Sequence, residues 1–327
     1  MLYRRRRFLA FAVAVGVFVA SLCVQYGFDV QSDFSIPHCG AQKLLAGEDP
    51  YTCPTGGMAS NPLTTVLFFV PLAWMPIQFA SATVMALSVA FLSLALNKPG
   101  EPWRLLVLLS VPFVYSVQIS QWAPLLLAIA LSGKLYPLIV VKPHVAMSVA
   151  ISRATPRGVA VVCLILLATF FVWPDWLPRW LFQTRGYDGF VPALSLAGAV
   201  LLLAALRIKN EAARWLLLLS LTPQRTWYDQ LLLFVIPRSA KQMLVVWVAS
   251  WIMWFPEIFG WGHSGYNWVT LSMFYPVLGI VLLDGSHPLT WLASLGARMG
   301  LFSGGSHVGF VRKLLGMAEG RALSIKD

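Results

Sequence analysis

The chain has 327 residues, of which 58% are hydrophobic and only 11% are charged, and its mean hydropathy is +0.72. A soluble domain carries about 25% charged residues, so an ordinary soluble globular protein is excluded. The formal net charge of +11 would suggest nucleic acid in a soluble chain. Here the basic residues sit between apolar runs and in the tail, which fits membrane topology and anionic lipid, and no nucleic-acid partner is expected.

The chain opens MLYRRRRF and then runs apolar from Leu9 to Tyr26. Basic residues before a first spanning helix stay in the cytoplasm, so the N-terminus is expected inside and the first loop, residues 27–60, outside. Met1–Tyr26 also has a signal-peptide reading, but nothing near its end resembles an A-x-A cleavage site, and an uncleaved first helix is expected. Within the loop, Asp33–Tyr51 (DFSIPHCGAQKLLAGEDPY) is polar and carries acids. Ser35 before Ile36-Pro37 predicts an N-cap, with a juxtamembrane helix to Ala46 that stops at Gly47. Leu44 and Leu45 would rest on the membrane while Gln42 and Lys43 face water. Cys39 and Cys53 share this loop, where a disulfide is chemically permitted, and the spacing does not decide whether they pair. Cys23 and Cys163 lie in apolar runs and are expected as packing residues. No CxxC or Cys/His cluster is present, so no structural zinc is expected.

Pro62–Pro76 is a short apolar run and Gln78–Leu96 a full-length one. Trp103–Val117 and Trp122–Leu131 form a broken pair around Gln118 and Gln121, and Leu135–Ile151 carries Lys142 inside it. After the basic Ser152–Gly158, Val159–Trp173 leads to a second outer loop, WPDWLPRWLFQTRGYDGF. Val191–Leu206 returns to RIKNEAAR, and Trp215–Leu221 and Leu231–Ile236 flank the polar break TPQRTWYDQ. Lys241–Phe255 and Trp268–Leu283 follow, separated by FGWGHSGYN. This order places Arg153 and Arg157, Arg207, Lys209 and Arg214, and Arg238 and Lys241 on the cytoplasmic side with the N-terminus. A span needs about 20 apolar residues. The prediction is therefore an all-α integral membrane protein with roughly ten to eleven transmembrane helices, several short or broken. Residues 1–283 form the polytopic domain and 284–327 a basic cytoplasmic tail, whose LTWLASLGARMGLF suits an amphipathic surface helix. Broken helices are tolerated only where protein or a water-filled cavity covers the backbone, so a buried polar chamber is expected. No internal repeat is evident, which weakens an inverted-repeat transporter.

Asp33 lies just before the juxtamembrane helix, where the helix dipole favours a charged carboxylate. It reads either as a general base at the membrane boundary or as a solvated loop acid or secondary cap. Lys142 and Arg225 are charges within apolar surroundings, costing about 2.5–3.5 kcal/mol each on insertion scales, so such groups usually face a cavity. The other readings are snorkelling for Lys142 and an ion pair with Asp229 for Arg225. His144 reads equally as a hydrogen-bonded buried ring or a phosphate donor. Arg179 and Arg185 read as interfacial anchors among Trp173, Trp176 and Trp180, which mark a belt or a sugar platform. Asp49-Pro50 reads as a turn, His38 has a weak claim as a loop residue, and His263 would line an acceptor entrance.

The order Asp33, Phe34, Ala41, Leu44, Leu45, Gly47, Asp49, Pro50, Tyr51, followed by Asn61–Leu63 and Pro71–Pro76, resembles the start of glycosyltransferase family 87. That family belongs to the C-type superfamily of multi-spanning transferases that use polyprenyl-phosphate sugars. The resemblance continues at Ser120-Gln121-Trp122, where the family usually has Gly-Gln, at Lys142-Pro143, and at Thr222-Pro223 with Trp227-Tyr228-Asp229-Gln230. It covers roughly residues 10–240. Asp229 stands where many members have His, which puts the second polar site in question, and Ser120 replaces the Gly. The resemblance implies that Asp33 is the acidic residue of catalysis; beside it, Gln121, Lys142, His144, Arg225, Trp227, Tyr228 and Asp229 are the expected substrate-binding residues. It also implies that the donor is a polyprenyl-phosphate sugar, mannose favoured, and the acceptor a lipid or glycan. Such a donor is already activated, so a base for the acceptor and cations for the departing phosphate suffice.

The expected function is therefore an integral-membrane glycosyltransferase of the cell membrane, with its active site extracytoplasmic and membrane lipids around it. No cofactor is expected, and scattered outer acids give no reason to expect a divalent metal. The alternative is a transporter or flippase for a lipid-linked or small polar solute, without chemistry. A carrier would place its acid at mid-membrane rather than in a boundary loop. A polytopic scaffold would not explain Lys142, Arg225 and Asp229 in apolar surroundings.

Overall fold

A computed structural model of the chain describes residues 2–28, 30, 32–53, 61–186, 189–259 and 265–283. The chain divides into two units, 1–278 and 279–327, and the second is described only as far as residue 283. The expected surface helix of the tail, residues 54–60 of the first loop and His263 lie outside the described residues.

Among the described residues the regular structure is helical, with no strand and one isolated bridge between Phe190 and Gln224. The first helix, α1, runs Leu2–Gly27, and a short helix, α2, spans Ser35–Leu45. Two further helices, α3 (Leu63–Phe69) and α4 (Ile77–Leu96), follow. The broken pair is formed by α5 (Val111–Gln118) and α6 (Ala123–Ser132). Next come α7 (Pro143–Ser152), α8 (Pro156–Val172) and α9 (Trp176–Gln183), then α10 (Glu211–Leu221) and α11 (Ala240–Met253). One turn, α12 (Phe255–Ile258), precedes α13 (Tyr266–Val269), which continues through a π turn at Thr270–Phe274 into α14 (Tyr275–Leu283). Among the described residues, three helices are long and apolar enough to cross a membrane: Arg6–Gly27, Ile77–Leu96 and Tyr266–Leu283. A fourth arises if α8 and α9, bent by 100° at their junction, are one broken span.

The other apolar runs are shorter than a bilayer, so the ten to eleven spans expected from the sequence do not each correspond to one full-length helix. Proline sets the breaks. It starts the 3-10 segments Pro102–Leu109 and Pro192–Leu194 and sits at the first turn of α5, α6 and α7, where its missing N–H is harmless. Leu135–Ile151, expected as one run, divides at Lys142 into a 3-10 segment, Tyr136–Val141, and α7. The residue before a proline is biased out of helical conformation, and Pro143 imposes that bias on Lys142. The apolar α6 buries Ala123–Ala130, as a helix apolar on every face must. It packs between α4 and the 3-10 segment Asp229–Val235, while α1 packs on α4 and α5.

One expectation is corrected here. Cys23 and Cys163 are exposed rather than packed, because a spanning helix has a lipid-facing side as apolar as its packed side. The second outer loop contains the helix α9, whose segment WLPRWLFQ buries Trp176.

Candidate functional site

Asp33 sits in the turn between α1 and α2. Ser35 begins α2 and does not cap it; Phe34 occupies the N-cap position. The hydroxyl of Ser32 takes the turn instead, accepting from the Phe34 amide at 3.1 Å and sharing a hydrogen bond with Ser81 of α4 at 2.8 Å. The Asp33 amide donates to the Ile119 carbonyl at 2.9 Å. Phe34 is 1% exposed, with its ring centroid 4.6 Å from Trp122 and 5.3 Å from Phe69. The acid is thus fixed by its neighbours: a buried ring after it, a tethered serine before it. At its other end α2 closes as expected. Gly47 has φ +74°, its amide donates to Leu44, and that of Glu48 donates to Lys43, a Schellman stop.

Covalent and ionic links hold this loop. Cys39 and Cys53 are bridged. Asp49 caps the Pro50–Thr52 turn and pairs with Arg179 of α9, so Arg179 joins the two loops instead of serving as a lone interfacial anchor. Gln183 donates to the Tyr51 carbonyl at 2.8 Å. His38 is buried, and its Nε2–H donates to the carbonyls of Leu72 and Met75 at 3.2 and 3.1 Å, which is a packing role.

Opposite Asp33 the chain turns at Ser120, whose φ is +57°, and presents Gln121. The Gln121 side chain donates through Nε2 to Asp33 Oδ2, and its Oε1 accepts from Lys142 Nζ at 3.2 Å. Lys142 Nζ also donates to Asp229 Oδ1 at 2.8 Å, and Asp229 Oδ2 accepts from the Arg225 backbone amide at 2.8 Å. Four polar groups from distant segments therefore form one chain: Asp33, Gln121, Lys142 and Asp229. Lys142 is 7% exposed and Asp229 is fully buried, so the snorkelling alternative is excluded. Two threonines of α3 set the lysine's backbone, Thr64 donating to Val140 O at 2.7 Å and Thr65 to Val141 O at 2.5 Å. Arg225 meets Asp229 through its main-chain N–H, and the reciprocal bridge of Phe190 with Gln224, 2.8 Å each way, holds that backbone.

A cavity of about 280 Å³ opens onto this chain. Asp33, Gln121, Lys142, His144, Arg225 and Tyr228 all line it, so six predicted site residues converge. Two do not reach it. Asp229 is buried behind its pairing with Lys142. Trp227, at φ +80°, lies with its ring 6.4 Å from Tyr115, held by the same left-handed turn that frees Tyr228 to face Lys142. The sequence reading missed Thr184 as a lining residue, and it placed Trp180 in a belt or on a sugar platform without locating it; both line this cavity. The aromatic, proline-broken WLPRWLFQ was the signal for them.

Burial pushes the Asp33 carboxyl above the ordinary carboxylate range, and the charge of Asp229 adds to that shift; the positive charges of Lys142 and Arg225 and the Gln121 hydrogen bond oppose it. A carboxylate raised in this way is a better proton acceptor at neutral pH than a free aspartate. The arrangement can take a proton from a bound hydroxyl and stabilise negative charge within a few ångströms, in a largely apolar enclosure.

No protein-family model, no curated protein and no solved structure matches this chain. The helical architecture and the helices long enough to span a bilayer define a membrane-associated all-α protein, and the site's chemistry rests on the geometry above.

Proposed function

We propose that this chain is an integral-membrane glycosyltransferase that moves a sugar, mannose favoured, from a polyprenyl-phosphate donor to a lipid or glycan acceptor. The observation that carries the reading is the Asp33 carboxylate, raised by burial, sharing one cavity with Lys142 and Arg225. Asp33 acts as general base on the acceptor hydroxyl. The acceptor oxygen bonds to the anomeric carbon while the bond from that carbon to the phosphate oxygen breaks. The bonding pair leaves with the lipid phosphate, and the hydroxyl proton passes to Asp33. Positive charge at the phosphate end of the cavity stabilises what departs, and the donor's own activation removes the need for a general acid or a resident cofactor. The short helices join across their proline breaks into roughly ten to eleven crossings, with the N-terminus cytoplasmic and Asp33 on the extracytoplasmic face of the cell membrane. The polar breaks then present Gln121, Lys142 and Tyr228 to the cavity, which satisfies the rule that irregular backbone at membrane depth needs cover.

The test is incubation of the purified protein with radiolabelled polyprenyl-phosphate-mannose and a membrane-lipid extract, wild type beside Asp33→Asn. Label entering a new product with wild type alone supports the reading. No transfer from mannose or from any other polyprenyl-phosphate sugar overturns it in favour of a transporter.

A further inference from the structure

Lys142 was expected to grip substrate, but its donors are engaged within the protein. An ammonium has three N–H groups and accepts nothing. One points to Gln121 Oε1 at 3.2 Å and one to Asp229 Oδ1 at 2.8 Å. The nitrogen also stands over the Tyr228 ring, 4.4 Å from its centroid, a cation–π contact that occupies the remaining direction. Tyr228 is in turn stacked on Tyr115 at 6.3 Å. The lysine thereby fixes the glutamine. Because only the carbonyl end of the Gln121 amide can face an ammonium, its NH₂ end must face Asp33, and it cannot flip without setting donor against donor. Asp229 fixes the lysine by the same logic, its second oxygen being held by the Arg225 amide.

We propose that Lys142 and Asp229 are positioning residues acting through Gln121, which holds the Asp33 carboxylate in one orientation and sets the pH at which it accepts a proton. Contact with the departing phosphate falls to Arg225, the other cation lining the cavity. The catalytic part of this inference rests on Asp33 being the base; the coupling does not. The groups facing Asp33 are Gln121 between α5 and α6, Tyr115 from α5, Lys142 and His144 at the start of α7, and Arg225 and Asp229 before the 3-10 segment 229–235.

The sign of each contribution gives the test. Purified full-length protein in detergent is titrated by infrared difference spectroscopy, following the protonated-carboxyl C=O stretch that disappears in Asp33→Asn. Lys142→Gln removes the coupled positive charge and should raise the titration midpoint by about one unit or more, the usual effect of one opposite charge. Lys142→Arg should restore it. Gln121→Glu replaces a donor with a like charge and should also raise the midpoint. Asp229→Asn removes a negative charge and should lower it. A chain whose only role is packing would not give shifts of opposite sign from the two partners of one ion pair. Unchanged midpoints in Lys142→Gln and Gln121→Glu, or shifts of the same sign in Lys142→Gln and Asp229→Asn, overturn the proposal. If Asp229→Asn does not fold, the first two variants and the Arg rescue decide it. Shifts without sugar transfer would remove the transferase reading and leave the coupling intact; transfer without shifts would do the reverse.

Discussion

Two aspartates anchor this molecule's polar interior, and their surroundings differ in every respect that matters to chemistry. Asp33 hangs on a turn, opens on a cavity and receives one side-chain hydrogen bond, from an uncharged amide. Asp229 is fully buried, and each oxygen has a donor, one of them a lysine at 2.8 Å. The first is held by parts that leave its carboxylate accessible. The second is saturated and serves to hold something else. One residue type thus does two jobs, and the division is made by burial and by the partner's charge.

The strongest way to break that contrast is to exchange carboxyl for amide at Asp33. Asp33→Asn removes a general base while keeping the shape, so transfer should fall by about 10²–10⁴-fold, read as initial rate on the labelled donor. Its stability should not fall. A carboxyl raised in the folded state contributes stability below its unfolded pKa and loses it as pH rises through the folded value. At a pH above that folded value the wild type therefore bears the penalty of an ionised Asp33, and the amide removes it. A thermal midpoint equal to or above wild type is expected at that pH. Wild-type transfer should correspondingly rise with pH along an acid limb placed above that of an ordinary carboxylate.

At the other aspartate the order reverses. Lys142→Met leaves Asp229 buried without its counter-charge, and breaking a buried pair costs about 3–5 kcal/mol. Adding Asp229→Asn should recover more than half of that loss in a thermal scan. Failure of the double variant to recover would mean that Asp229 supports the fold through the Arg225 amide more than through the lysine.

How much of this could be read from the chain alone follows from the range of each interaction. The helices α1 and α4 are long uninterrupted apolar runs, and Gly47 ends α2, all local features. Within ten residues the reading already weakens: Ser35 looks like a cap, but Ser32 takes that hydrogen bond because Ser81 of α4 holds it in place. Pro143 was a legible sign that Lys142 stands at a break. The pairing of Lys142 with Asp229, 87 positions apart, had no local trace. Arg225 was read as an ion-pair alternative for Asp229; the pair forms with Lys142, and Arg225 meets that carboxylate through its backbone amide, which sequence cannot distinguish from any other.

A third difference separates the regions. The Asp33 loop is stapled covalently, whereas the Asp229 segment is held by hydrogen bonds, by the ion pair with Lys142 and by packing. Closing a loop with a sequence separation of 14 contributes about 3 kcal/mol. Cys39→Ser with Cys53→Ser should therefore lower the midpoint and slow transfer, and reductant should act on wild type in the same way. Reductant should leave the double variant unaffected, since Cys23 and Cys163 are unbridged.

The smallest effect is expected where the two regions meet. Ser120 adopts φ +57°, and its buried hydroxyl has no hydrogen-bond partner among the described residues. A non-glycine residue in the left-handed region costs about 1–2 kcal/mol, and glycine is free of that strain but loses more entropy on folding. Ser120→Gly should thus be neutral or raise stability by up to about 1 kcal/mol, a few degrees or less in the midpoint for a chain of this size, with transfer retained. Ser120→Ala relieves only the orphaned hydroxyl and should fall below the glycine variant. If alanine matches or exceeds glycine, the left-handed turn is not what presents Gln121 to Asp33, and the link between the two aspartates must be sought in the Lys142 side of the chain.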